Sequence, residues 1–103
     1  MIEQIFATLP EQFRASAVKA PVSYYFSLDD IKKTVVLSPD RCHVEHGRTI
    51  EAADCVCKTS TDFFLKIWEE DYRPGMGDFL TGKIKTNNPD LLKTFLAAFG
   101  KNA

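Results

Sequence analysis

Four groups of residues have the types from which catalytic or ligand chemistry is built. The stretch Gly77-Asp78-Phe79-Leu80-Thr81-Gly82-Lys83 has the form G-x-x-x-x-G-K of a phosphate-binding loop. Such a loop needs Ser or Thr next, for magnesium, and a helix after it to aim amide groups at the phosphates. Ile84 follows instead, in a run that alternates like a strand, and Phe79 and Leu80 suit an apolar core better than a phosphate cradle. Cys42, His43, His46, Cys55 and Cys57 are formally enough ligands for tetrahedral zinc. The Cys55-x-Cys57 gap is too tight for the usual ligand spacing, and on a strand His43 points away from Cys42 and His46. Cys55 and Cys57 read more simply as small buried apolar residues. Glu69, Glu70 and Asp71 offer carboxylates, but acid–base work needs a perturbed pKa and a cleft, and successive acids at a helix end form a solvated face. A Ser or Cys nucleophile paired with His43 or His46 lacks any local signature. An enzyme built on either histidine would need it in a cleft beside a second polar group. The expectation is therefore no catalytic residue, no metal and no cofactor.

The elements that would position these residues follow from apolar spacing. Ile2, Ile5, Phe6, Leu9 and Phe13 mark a helical stripe that Pro10 should end at Leu9. Val22, Tyr24, Phe26 and Leu28 alternate with polar residues and Tyr25, as a strand requires. Asp29-Asp30 forms a turn, Ile31 to Leu37 a second strand, Ser38-Pro39-Asp40 another turn, and Arg41 to His46 a third strand ended by Gly47. Ala53 to Thr59 is the fourth, with Cys55 and Cys57 on one face and Asp54, Val56 and Lys58 on the other. Ser60 or Thr61 then caps a helix in which Phe64, Ile67 and Trp68 share a face, and the Arg73–Gly77 segment breaks it. A short amphipathic piece leads into a fifth strand at Lys83-Ile84-Lys85. Asn88-Pro89-Asp90 starts a last helix with Leu92, Phe95, Leu96 and Phe99 on one face, and Gly100 stops it. Strands run together and helices are grouped elsewhere, which predicts an α+β fold with a mainly antiparallel sheet.

A chain of 103 residues predicts one domain over 1–103, and 45 % hydrophobic with 26 % charged residues predicts a globular one. Basic and acidic residues are interspersed, 13 against 14, so no basic stripe points to nucleic acid. Three cysteines in no disulfide pattern, no signal-peptide opening and no apolar run of membrane-spanning length predict a reduced, cytoplasmic protein. The terminal Lys101-Asn102-Ala103 is not a peroxisomal address. Eight Phe, three Tyr and one Trp make an aromatic-rich interior, and periodicity does not separate a filled core from a lined cavity.

The order of elements and the words themselves resemble the sterol-carrier-protein type-2 domain, a lipid-binding module, over nearly the whole chain. Ile5-Phe6 with Leu9-Pro10-Glu11-Gln12-Phe13 is similar to that family's opening helix and turn, and Tyr25-Phe26-Ser27-Leu28 to its first strand. Ala53-Asp54-Cys55 and Ser60-Thr61-Asp62-Phe63-Phe64-Leu65 are similar to its last meander strand and the helix after it. Phe79-Leu80-Thr81-Gly82-Lys83-Ile84-Lys85 resembles its small helix running into the fifth strand. The chain departs from the family at Asn87-Asn88, where a glycine is usual.

The resemblance implies a twisted five-stranded sheet covered on one face by helices, with an apolar tunnel between. It implies non-catalytic binding or transfer of a fatty acid, fatty acyl-CoA, sterol or phospholipid, with at most transient membrane contact. The tunnel wall would be Phe26, Val36, Val44, Cys55 and Cys57 from the sheet. Phe64, Ile67, Trp68, Met76, Phe79, Leu80, Phe95 and Phe99 would come from the helices, and Arg73, Lys83 and Lys85 would meet a head group. The alternative is a closed-core accessory module of the same fold that acts through a protein or enzyme partner.

Overall fold

The structure is a computed structural model that describes residues 2–14 and 17–101. Its elements are α1 (Ile2–Gln12), β1 (Val22–Leu28), β2 (Ile31–Ser38), β3 (Arg41–His46), β4 (Cys55–Thr59), α2 (Thr61–Glu70), α3 (Met76–Leu80), β5 (Ile84–Thr86) and α4 (Pro89–Ala98). Local chemistry accounts for most boundaries. Ser60 caps α2 by accepting a bond from the Phe63 amide at 3.0 Å, and Asn88 caps α4 through the Leu91 amide at 3.1 Å. Gly100 ends the last helix at φ +73°, where a Cβ would lie 2.6 Å from Nη2 of Arg14, so no other residue fits unchanged. Among the described residues other than glycine, Asp29 and Asp71 are left-handed; Asn88, at φ −151°, needs no such freedom.

α1 runs through Pro10 to Gln12 rather than ending at Leu9. A proline in the last turn removes a single backbone bond, to the carbonyl four residues back, and the buried Phe6 and Leu9 hold the helix on the sheet.

The sheet order is β3-β2-β1-β4-β5. β1–β2, β2–β3 and β4–β5 are antiparallel, whereas β4 pairs parallel with β1. The sheet is therefore mixed, and β4 does not close a meander. It leaves β3 at one edge and returns beside β1, which requires a crossover. That crossover lies on the outer face of the sheet. Thr34 Oγ1 donates to the Gly47 carbonyl and accepts from the Thr49 amide, and the Arg48 guanidinium sits 5.2 Å over the Tyr25 ring. Asp54, expected inside β4, instead accepts from the amide and hydroxyl of Ser23 and precedes the strand.

Helices cover the other face. Tyr24, Phe26 and Leu28 of β1, Val35 and Leu37 of β2, Cys55 and Cys57 of β4 and Ile84 of β5 are buried against Phe6 of α1, Phe64 and Trp68 of α2 and Phe95 of α4. Tyr24 spends its hydroxyl on the Leu91 carbonyl at 2.8 Å, so the buried ring leaves no polar group unpaired. Val36 corrects the sequence reading. It pairs with Ser23 and His43 and faces outward with them, while Val35 and Leu37 take the inward positions. Thr34-Val35-Val36 are three β-branched residues in a row, so hydropathy could not choose the face, and a one-residue shift reverses every side chain.

Candidate functional site

Of the residues expected to line a tunnel, Phe26, Cys55, Cys57, Phe64, Ile67, Trp68, Phe95 and Phe99 do converge between sheet and helices, all buried. They converge on one another. Phe95 stands 4.8 Å from Phe26 and 4.9 Å from Phe99, ring centroid to ring centroid, and Phe64 stands 5.7 Å from Trp68 and 5.6 Å from Phe6. These are contact distances for aromatic rings. The space between these residues is filled by their own side chains, and no apolar tunnel is seen there among the described residues. Val44 is half-buried beside Cys42, in a hollow of about 410 Å³ between α1 and the sheet.

The apolar concavity lies outside this core. Met76, Phe79 and Leu80 share one face of α3 and, with Leu92 and Leu96 of α4, Pro74 and Pro89, line an open groove of about 340 Å³. Met76 and Leu80 are each 79 % exposed, so both are corrected from interior wall to open surface. The cause is at Asp78, on the opposite face of this five-residue helix. Its carboxylate accepts from the Tyr72 hydroxyl at 2.6 Å and the Gly75 amide at 2.9 Å. The Tyr72 bond, then the Gly75 bond, holds the Asp78 carboxyl below its ordinary range, and the Tyr72 phenol is pushed up in return. With Asp78 turned to the polar cleft beside Tyr72 and Lys83, the apolar face of α3 points away from it, onto the open groove. Leu92 and Leu96 belong to both the groove and the core.

Arg73 and Lys93 stand at the groove. The three expected head-group contacts are thus divided. Arg73 borders the groove, whereas Lys83 and Lys85 lie in a separate polar cleft of about 620 Å³ at the end of α2 nearest Ser60. Lys93 was missed, although Pro89, Leu92, Lys93 and Leu96 share one side of α4 by spacing alone.

The remaining chemistry-bearing residues are dispersed. Residues 77–83 form α3 and a turn in which the Gly77 carbonyl accepts from Thr81 Oγ1, so there is no amide cradle. Cys42 and His46 occupy inward register positions of β3, His43 faces outward against Glu45 at 3.2 Å, and Cys55 and Cys57 lie on β4 across two intervening strands. All three thiols are free and buried, and burial raises Cys42 and Cys57 to about 12. Glu69 to Asp71 are exposed where α2 ends. A polar cluster that the sequence did not announce is Lys33, buried on the inward face, with Nζ on the Glu3 carboxylate and 2.6 Å from Nδ1 of His46.

No protein-family model matches the sequence, and no curated protein does. Solved structures do. A UbiJ-SCP2 ubiquinone synthesis protein superposes with a TM-score of 0.64 at 15 % identity, over 94 % of this chain and 84 % of that one. The fold is SCP2-like. The stereoselective inverting sec-alkylsulfatase Pisa1 from a Pseudomonas species contains the same arrangement, with a TM-score of 0.83 and 14 % identity. The whole of this chain matches there, but it spans only 17 % of that enzyme. In this SCP2-like chain the interior between sheet and helices holds packed rings, and the apolar opening sits between α3 and α4.

Proposed function

We propose that residues 1–103 act as a single non-catalytic domain that binds and carries a hydrophobic ligand with an acyl chain. The groove between α3 and α4 carries this reading. Two large apolar side chains stand in water, beside Pro and Leu residues, within the size range of small-molecule sites. Arg73 and Lys93 at its edge suit an anionic head, so a fatty acid, fatty acyl-CoA or phospholipid fits better than a neutral sterol. Burial of Met76 and Leu80 under an acyl chain supplies the driving force, at roughly 25 cal/mol per Å². Because Leu92 and Leu96 also belong to the core, a displaced α3 would open the groove onto the rings and lengthen the site into a tunnel. The SCP2-like fold supports this reading, and the buried, unpaired thiols agree with a reducing, cytoplasmic setting.

Titration of delipidated protein with a fluorescent long-chain fatty acid, followed by displacement with fatty acid, acyl-CoA and sterol, tests it. Saturable one-to-one binding is expected, weakened about tenfold or more in M76S/L80S, since each side chain contributes apolar area. Absence of binding by folded protein overturns it. The filled core supports a second reading in that case: an accessory module acting on a protein partner, as the match to a small part of a larger enzyme also allows.

A further inference from the structure

We propose that the outer face of the sheet carries an anion site, built by Lys58, Lys83 and Lys85, that takes a phosphate group. The ladder registers place Lys32, Ser27, Lys58 and Lys85 side by side across β2, β1, β4 and β5, on the outward face where it meets the start of α2. Lys83 directly precedes β5 and lines the same cleft. All of them line the 620 Å³ cleft, which holds five lysines and three aspartates in a chain whose net charge is −1. The concentration is therefore local and not a consequence of composition.

Two of the aspartates are already occupied. Asp29 accepts from the amide and hydroxyl of Thr61, and Asp78 from Tyr72 and Gly75; Asp62 is the remaining carboxylate. Lys32 is likewise engaged, by Ser27 Oγ at 2.7 Å and the Asp29 carbonyl, and Lys66 lies 4.3 Å over the Tyr72 ring. Lys58, Lys83 and Lys85 have no ion pair within 4.0 Å among the described residues, and Lys83 acts on Asp78 only at longer range.

The decisive feature is the Lys58–Lys85 pair. These residues are directly opposed in the β4–β5 ladder, where like charges destabilise and side chains start about 5 Å apart. The arrangement works against the free fold and in favour of an anion held between the two ammonium groups. Gly82, at φ +79°, makes the left-handed turn that brings Lys83 and β5 to the cleft. Three lysines lining one cleft suit a phosphomonoester, with its near-double negative charge and three acceptor oxygens. A soluble phosphorylated metabolite and a phosphatidic acid head group share that chemistry.

The test is titration of 15N-labelled protein with glycerol 3-phosphate. Saturable shifts at the amides of residues 58 and 83–85 are expected. K58Q/K85Q should weaken binding about tenfold or more, because two charge-assisted contacts are lost. Its melting temperature should hold or rise, because a like-charge pair is removed, so lost binding is not lost folding. K19Q, on the surface elsewhere, should bind as the parent does. Co-sedimentation with phosphatidylcholine vesicles containing phosphatidic acid then separates the sources. Sedimentation reversed by glycerol 3-phosphate assigns the site to a lipid head group; binding of glycerol 3-phosphate without sedimentation assigns it to a soluble metabolite. No saturable shift, or equal losses in K58Q/K85Q and K19Q, overturns the proposal. M76S/L80S should bind glycerol 3-phosphate normally, which keeps this result independent of the acyl-chain titration.

Discussion

Lys33 is a lysine in a buried position. It is 2 % exposed on the inward face of β2, yet charged, and its partners are the Glu3 carboxylate and Nδ1 of His46. The Lys33 ammonium donates, so Nδ1 is the ring nitrogen of His46 that meets it. The hydrogen bond from Lys33, helped by its charge, holds the Glu3 carboxyl below the ordinary 4.5. A lowered folded-state value means the interaction stabilises above about pH 4.5 and is lost as pH falls through the lowered value. Glu3→Gln leaves the Lys33 ammonium buried without its counter-charge, so the melting temperature should fall at neutral pH and depend less on acid. Adding Lys33→Met should recover it, because a buried ion is replaced by an apolar chain of similar length. Thermal scans of the single and double variants across acid and neutral pH check both. The cysteines give a second expectation. Burial raises all three thiols, so iodoacetamide at mildly alkaline pH should label Cys42, Cys55 and Cys57 slowly in the native protein and promptly in urea, as mass spectrometry would count.

Among the elements, α2 and α4 are specified by their first residues. Ser60→Ala removes the oxygen that accepts from the Phe63 amide, and should cost about 1 kcal/mol in urea unfolding with an unchanged slope. Asn88, Pro89 and Gly100 act as locally, which is why both helix starts and the last stop were legible. α1 and β2 were less so. Pro10 argues for a stop, but the penalty shrinks in a last turn, and only the burial of Phe6 and Leu9 decides that the helix continues. Val36 lies in a run without alternation, and its face is set by the pairing of β2 with β1. α3 is the clearest case. Its apolar spacing is real, but the bond from Tyr72 to Asp78 turns that face outward.

For the whole molecule, the aromatic cluster joins α2 and α4 to the sheet through Phe95, which contacts Tyr24, Phe26, Trp68 and Phe99. Phe95→Ala should cost about 3–5 kcal/mol, a large part of the 5–15 kcal/mol of a typical domain. The urea midpoint should fall accordingly. A smaller loss would mean that the helices collapse into the vacated space, as an adaptable lipid-binding interior would do.

The sequence by itself determined the strand and helix order, the caps, the α+β class and the apolar stripes, because these follow from neighbours in the chain and from side-chain periods of 2 and 3.6. It also placed Phe26, Cys55, Cys57, Phe64, Trp68, Phe95 and Phe99 on buried faces. Tertiary structure decided the parallel pairing of β4 with β1, the outward turn of Val36, Met76 and Leu80, and the separation of Arg73 from Lys83 and Lys85. It decided as well that the rings of Phe26, Phe64, Trp68, Phe95 and Phe99 stand in contact with one another. The strand pairing, the face of Val36 and the meeting of the rings depend on contacts between residues far apart in the chain, while Met76 and Leu80 are turned by a side-chain bond across six residues; periodicity gives the face of an element but not what that face meets.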